Sequence, residues 1–374
     1  MSNETTNVEP TFKKSIYRMN ATRPLFLQYP LLASVVPFVE LADLPTPIER
    51  RQLKVGNSKI SDNFWIKRDD KTSSVYGGNK VRKLEFIIAD LQQRGIKNLV
   101  TFGGIGTNHG VATTLFCQKY NINCTIFLFD QPATPAAISN LKLMASLGAT
   151  LVYKGSLLKT VLHYYSSRLV NSHSTYYLHA GGSNVVGCIS YVNAAFELKN
   201  QIELGEVEEP DYIYCPVGSS GTLAGLSLGC QLAGLKSKVV GVRVAPSHLG
   251  PIPVCTSSTI MKLRKNTYSY LKKNGSTIPE LKLNNVELLD SFYGSGYGLT
   301  TPKADEAIQC FANMGINLDT TYTAKTAAAT IEFCRLHPDK KVLYWHTFNS
   351  SDISSLIDEN KLASIPENII NAEL

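Results

Sequence analysis

The sequence predicts an α/β protein built on parallel sheets whose faces are covered by helices. Three observations predict it. Strand-length runs are apolar throughout rather than alternating, as in Thr125-Ile126-Phe127-Leu128-Phe129 and Val239 to Val244, the pattern of strands buried on both faces. Segments with apolar residues at helical spacing separate those runs, so the chain reads strand, helix, strand. Glycine-rich turns stand where strands pass into helices. Hydrophobic residues make up 44% of the 374 residues and charged ones 18%. That is enough apolar side chain for a sizeable core, and the length suits two domains or one large one.

The elements follow in order. The stretch to about Asp43 is an extension with short helices expected around Leu25 to Leu32. Leu44-Pro45-Thr46-Pro47-Ile48 reads as extended or turn backbone, because each proline disfavours helix in the residue before it. Phe64-Trp65-Ile66-Lys67 is a strand. Val81 to Arg94 carries Leu84, Ile87, Ile88 and Leu91 at helical spacing, with Gly95 placed to end it. Leu99 to Phe102 is a strand running into Gly103-Gly104, and Gly110 to Tyr120 suits a helix. Thr125 to Phe129 (strand), Ala136 to Leu147 (helix) and Thr150 to Tyr153 (strand) continue the alternation. Val185 to Leu204 is mostly helical. Tyr212 to Val217 and Val239 to Val244 are strands flanking a helix from Leu223 to Ala233. Ser247 to Asn285 breaks the rhythm and reads as loops or a helical insertion. Val342 to Trp345 gives a last strand.

Charge and cysteine usage remove several function classes. The net charge of +7 is spread along the chain. Its densest patches, Lys80-Val81-Arg82-Lys83 and Lys262-Leu263-Arg264-Lys265, are short and not interleaved with aromatics, which argues against nucleic acid and suits an anionic small ligand. The eight cysteines form no Cys-x-x-Cys pair and no cluster with zinc spacing. Buried free thiols in a reducing compartment are expected. Residues 1–10 lack a basic n-region and apolar h-region, and the apolar runs fall far below the ~20 residues of a membrane span. A cytoplasmic location without membrane partners is therefore expected.

Three elements carry chemistry. Gly218-Ser219-Ser220-Gly221-Thr222 links a strand to a helix. Its small residues let backbone N–H groups approach an anion, hydroxyls add donors, and the helix dipole favours negative charge. It lacks the Gly-Lys-Ser/Thr of a nucleotide P-loop, and a ligand-free tight turn is the competing reading. Gly103-Gly104-Ile105-Gly106-Thr107-Asn108-His109-Gly110 places a hydroxyl, an amide and an imidazole at a helix start. Thr107 or Asn108 can equally be an N-cap, and a lone His109 is more often a hydrogen-bonded structural residue. Lys80, in Tyr76-Gly77-Gly78-Asn79-Lys80, is either a solvated charge or an amine able to lose its proton and approach a carbonyl closely, as Schiff-base chemistry requires.

Lys67-Arg68-Asp69-Asp70 followed by Tyr76-Gly77-Gly78-Asn79-Lys80-Val81-Arg82-Lys83-Leu84-Glu85-Phe86 closely resembles the 1-aminocyclopropane-1-carboxylate deaminase/D-cysteine desulfhydrase family. The resemblance runs from about Pro45 to about Thr347. It implies the three-layer tryptophan synthase β-like fold (fold type II), two parallel-sheet domains with pyridoxal 5′-phosphate between them. On that basis residues 1–43 are an extension, 44–82 plus 190–374 a larger cofactor-binding domain, and 83–189 a smaller α/β domain. A homodimer is implied as well.

Position by position, the resemblance makes Lys80 the Schiff-base lysine and Asn108 the partner of the cofactor's phenolic oxygen. Gly218, Ser219, Ser220, Gly221 and Thr222 become the phosphate loop, and Thr347 a hydroxyl near the pyridine nitrogen. Tyr297 and Tyr322 match active-site tyrosines, one of them stacking on the ring and assisting proton transfer. Three positions depart from the pattern. Thr107 replaces a serine assigned a catalytic or carboxylate-binding role, Thr323 replaces the glutamate of the deaminases, and Phe348-Asn349 replaces Gly-Gly. The missing glutamate moves the expectation toward β-elimination on a small amino acid, as in D-cysteine desulfhydrase, giving pyruvate, ammonia and sulfide. Ring-opening deamination of an aminocyclopropane acid is the alternative, and serine dehydration or racemisation is open to the same cofactor. From another class, a phosphate-ligand binding module would use Lys80 only as an anion contact.

Overall fold

The computed structural model describes residues 23–171, 174–249 and 251–369; of the expected extension, residues 1–22 lie outside the described residues. A short helix α1 (Pro24–Gln28) opens the description and a 3₁₀ turn follows at Pro30–Ser34, where short helices are expected. Strands β1 (Ile48–Val55) and β2 (Ser58–Arg68) form an antiparallel pair that leads into α2 (Asn79–Gln93). Then come β3 (Asn98–Gly104), α3 (Asn108–Lys119), β4 (Asn123–Phe129), α4 (Pro135–Ser146), β5 (Thr150–Tyr153), α5 (Leu157–Asn171) and β6 (Thr175–Tyr177). The chain continues through α6 (Val185–Glu203), β7 (Tyr212–Val217), α7 (Gly221–Ala233) and β8 (Lys238–Arg243). The stretch left open between loops and helix is a small hairpin, β9 (His248–Leu249) with β10 (Ile252–Pro253), followed by α8 (Ser257–Asn274). Strand β11 (Glu287–Leu289), helices α9 (Pro302–Ala312) and α10 (Thr323–Leu336), and strand β12 (Val342–His346) follow.

Two sheets organise these elements. The larger has the order β1-β2-β12-β7-β8-β11, parallel except for the β1 edge; the smaller, β5-β4-β3-β6, is parallel throughout. Burial on both faces explains the unbroken apolar runs: Leu343, Tyr344 and Trp345 of β12 are all fully buried. In open parallel sheets, ligands gather beyond the carboxyl ends of the strands. Here those ends carry Gly103-Gly104, Gly218 and Thr347.

A buried ionic network fixes where α2 begins. The Arg82 guanidinium donates to Asp69 at 2.7 and 3.0 Å and to Glu197 at 2.8 and 3.0 Å. Lys67 Nζ donates to Glu197 at 2.6 Å and to the Thr46 carbonyl at 2.8 Å. Asp69 also accepts from Tyr191 and from the Trp345 indole. Charges this deeply buried persist only when paired and hydrogen-bonded. They tie β2, β12, α2 and α6 into one unit and hold the first turn of α2 against the sheet.

Candidate active site

One cavity of about 750 Å³ collects Lys80, Thr107, Asn108, Gly218, Ser219, Ser220, Thr222, Tyr297, Tyr322 and Thr347. Gly221 completes the loop as the first residue of α7. Side chains separated by more than 260 positions in the sequence therefore meet around one space.

Lys80 sits in the first turn of α2. Gly78 precedes it with φ of +92°, a backbone conformation that L side chains rarely adopt, and a Cβ on Gly77 would fall 1.8 Å from the Asp70 carbonyl oxygen. Both glycines are thus demanded by the approach of this turn to β2 and β12. The Lys80 amine opens onto the cavity yet lies deep in the protein, and burial lowers its pKa to about 8 despite the opposing charge of Asp319. It donates to Asn79 Oδ1 at 2.9 Å, and Asn79 in turn donates to the Thr222 hydroxyl at 3.2 Å. Lys83, one turn along, donates to the Gly181 carbonyl at 3.0 Å; burial and the Lys80 charge lower its pKa to about 7.

The loop 218–222 is built for close approach. Ser220 holds φ of +73° at the start of α7. A Cβ on Gly218 would lie 2.8 Å from the Tyr322 ring, and one on Gly221 would lie 2.6 Å from Ser183 Oγ. Ser183 accepts from the Gly221 N–H and donates to Ser219 Oγ. The buried Ser220 hydroxyl has the Cys255 thiol beside it and no hydrogen bond to nitrogen or oxygen.

The Tyr297 and Tyr322 hydroxyls lie 2.5 Å apart with their rings edge to face, and burial raises the Tyr297 phenol to about 12 and Tyr322 well above its ordinary value. Lys80 Nζ is 6.0 Å from the Tyr322 ring centroid. Lys325 of α10 donates to the carbonyls of Tyr293 and Gly296, which anchors the loop bearing Tyr297. His109 is buried with both ring nitrogens hydrogen-bonded, to Thr101 and Thr113, and burial depresses its pKa well below the usual range. That is the bonding of a structural histidine.

The three departures have distinct placements. The Thr107 hydroxyl accepts the Gly110 N–H at 3.3 Å as the N-cap of α3. Thr323 is fully buried, donates to Asp319 Oδ1 at 2.6 Å and does not line the cavity. Phe348 and Asn349 both line the cavity, and Asn349 Oδ1 accepts the Gly77 N–H at 2.6 Å and braces the turn before Lys80. Sequence reasoning missed Asn79, Ser183 and Asn140, whose contacts span distant segments, and Asp319, whose charge acts on distant Lys80. Lys83 had a signal, since it lies one helical turn from Lys80 in the same basic run.

Residues 39–347 match the family described as pyridoxal-phosphate dependent enzyme. The chain belongs to that family. It is 32% identical over 315 residues to a Thermotoga maritima protein provisionally named a 1-aminocyclopropane-1-carboxylate deaminase, covering 83% of this chain and 95% of that one. It is 30% identical over 323 residues to the D-cysteine desulfhydrase of Klebsiella pneumoniae, covering 83% and 93%. The crystal structure of a 1-aminocyclopropane-1-carboxylate deaminase homologue superposes with a TM-score of 0.69 at 26% identity, over 90% of this chain and 98% of that one. Threonine deaminase isoform 2 of Solanum lycopersicum, at 17% identity and a TM-score of 0.53 over 88% and 98%, shares the fold. The expected fold class and cofactor therefore hold for this pyridoxal-phosphate-dependent enzyme.

The donor set fits that cofactor. A phosphate needs small residues, N–H groups and hydroxyls at a helix N-terminus, and the loop supplies them, including the Ser220 hydroxyl, which has no nitrogen or oxygen partner. An aldehyde needs an amine that sheds its proton near neutrality, and Lys80 has that environment.

Proposed function

We propose that the enzyme catalyses β-elimination on a small amino acid, with D-cysteine giving pyruvate, ammonia and sulfide. The observation that carries this reading is Thr323. Where the deaminases are expected to hold a glutamate, this chain has a hydroxyl that is bonded to Asp319 and does not line the cavity.

When bound, pyridoxal phosphate supplies an aldehyde for the substrate amine and an electron sink for the pair left when Cα loses its proton. The protein's part follows from its own groups. Lys80 holds the cofactor covalently and, once displaced, takes the Cα proton; burial keeps its amine neutral and basic at pH values above about 8. Gly218 to Thr222 would hold the phosphate, and Lys83, whose Nζ lies beside Gly221, would supply a positive charge there. Asn108 would donate to the cofactor's phenolic oxygen, and the Thr347 hydroxyl would stand near its pyridine nitrogen. A neutral hydroxyl there leaves that nitrogen less charged than a carboxylate would, which favours elimination over transamination. Thr107 shapes the start of α3, whose backbone amides hold the substrate carboxylate. The Tyr297–Tyr322 pair, kept protonated by burial, offers a hydroxyl hydrogen bond to the departing sulfur. The division into segments 44–82 plus 190–374 and 83–189, a homodimer and a cytoplasmic location belong to the same reading.

Lys80→Ala is expected to abolish both turnover and the absorption that borohydride fixes, and an undiminished rate would sink the assignment. Covalent loading of the cofactor-free protein is expected to speed up as pH rises through about 8, where the Lys80 amine loses its proton; a rate flat from pH 7 to 9 contradicts it. A screen of D- and L-amino acids for 2-oxo acid release tests the reaction. Pyruvate with sulfide from D-cysteine supports elimination, and 2-oxobutyrate from an aminocyclopropane acid supports ring opening.

A further inference from the structure

The cavity is larger and more apolar than cysteine requires. Its polar lining includes the groups assigned to the cofactor and the reacting amino acid, together with Asp130, Gln131, Thr259, Lys262 and Asn266. The rest of its lining is dominated by apolar side chains from separate elements, chief among them Leu158, Leu162 and Tyr165 of α5 and Ile252 of β10. These four are 48%, 60%, 47% and 52% exposed.

Scattered exposed apolar residues need no explanation, but a cluster converging on a cavity marks something that covers it. Helix α5 makes the case. One face is spent on folding: Tyr164 is fully buried, with its ring 4.9 Å from Phe102 of β3, and the Thr160 hydroxyl bonds the Leu128 carbonyl of β4. Residues 158, 162 and 165 recur at four- and three-residue spacing on a second face, which folding leaves wet. Surface helices ordinarily turn polar residues to solvent, so a second apolar face is costly unless it binds.

This wall is continuous with the reaction centre. The Tyr165 ring lies 6.3 Å from His179, which also lines the cavity. Two residues on, a Cβ at Gly181 would lie 2.1 Å from Ser219 Oγ and 3.9 Å from Lys80 Cε. An apolar group seated against α5 is therefore in the same open cavity as the Lys80 amine.

We infer that the enzyme takes cysteine S-conjugates, amino acids whose sulfur carries an alkyl or aryl group, and that Leu158, Leu162, Tyr165 and Ile252 hold that group. The inference rests on the elimination reading. If the β-leaving group is sulfur, extra apolar bulk is accommodated beyond the sulfur without disturbing Cα or Cβ. Lys80 takes the Cα proton, the Cβ–S bond breaks, and its electron pair leaves on sulfur, which is protonated to the thiol R–SH. One water is then consumed in releasing ammonium, and the three-carbon skeleton becomes pyruvate. No oxidant or reductant is needed.

The test compares the cofactor-loaded enzyme on cysteine, S-methylcysteine and S-benzylcysteine, each as both enantiomers, following pyruvate and thiol. The expected result is kcat/KM for one S-benzyl enantiomer at least about tenfold above that for free cysteine, with S-methylcysteine between. Leu162→Asp and Ile252→Asp alter exposed positions, and each is expected to lower the S-benzyl to cysteine ratio at least about tenfold. Cysteine turnover without S-benzylcysteine turnover, a conjugate no better than cysteine, or ratios unmoved by both substitutions overturns the inference while leaving elimination standing. A loaded enzyme that eliminates sulfur from none of the substrates overturns the elimination reading itself, and the inference with it.

Discussion

Asn140 donates from one nitrogen to two acceptors, the Gly106 carbonyl at 2.9 Å and Asn108 Oδ1 at 2.8 Å. Because a carbonyl can only accept, the Asn140 atom facing it must be the NH₂ group, so Asn108 must present its oxygen there. That leaves Asn108 Nδ2 to donate into the cavity, the orientation a phenolic oxygen needs. Asn140 lies on α4 and does not line the cavity, so it acts by positioning. Asn140→Leu is expected to shift the visible absorption maximum of the bound cofactor and to weaken its affinity roughly tenfold, the equivalent of one lost hydrogen bond of about 1.4 kcal/mol. In an Asn108→Ala background the same substitution is expected to change neither. A spectrum unmoved by Asn140→Leu in the parent enzyme would remove it from this role.

At the scale of elements, α2 is the part on which most depends, since its first turn carries both Lys80 and Arg82. Glu197 of α6 balances Arg82 and Lys67. Burial alone would raise its pKa, but the two cations more than offset this and hold it well below the usual carboxylate range. A depressed folded pKa means its contribution is present at neutral pH and declines as pH falls below the ordinary glutamate value of ~4.3. Glu197→Leu takes the carboxylate partner from buried Lys67 and leaves Arg82 with Asp69 alone, and is expected to cost about 3–5 kcal/mol, read as a lower denaturation midpoint at unchanged slope; a midpoint within error of the parent's would refute it. Legibility in the sequence follows the same physics. Continuous apolar strands such as β4, β7 and β12 were visible because burial on both faces leaves a one-letter pattern. Strand β1, Ile-Glu-Arg-Arg-Gln-Leu-Lys-Val, was not, because an edge strand keeps one side wet and its charges mask the alternation. Helix α5 was missed as well. Its two apolar faces blur the single stripe by which a surface helix is recognised.

For the whole molecule, the site is a meeting of distant segments. Lys80 and the glycine loop were legible as local motifs, each with a competing bland reading, and the family resemblance joined them. The contacts of Asn79 with Thr222, of Ser183 with Gly221 and of Lys83 with Gly181 left no mark in sequence, because nothing local constrains a partner so many residues away. A ligand bound by so many segments favours the folded chain over the unfolded one. Saturating pyridoxal phosphate at about 100 times its Kd is expected to add about 2.7 kcal/mol. Calorimetry of cofactor-free and loaded protein is expected to show a higher unfolding temperature for the loaded form, and Lys80→Ala to keep part of that gain through the phosphate contacts. Equal unfolding temperatures would show that the cofactor does not bridge these segments.

Strand β12 lies between β2 and β7, in the interior of the larger sheet, although residues 342–346 come near the end of the described chain. On a ribosome, therefore, the middle of that sheet is translated after all its other strands. Until it emerges, β2 and β7 each lack a neighbour, and bare parallel edges invite wrong partners. The nascent protein is thus expected to lean on chaperones late in synthesis, and a chain halted before residue 342 to bind no cofactor.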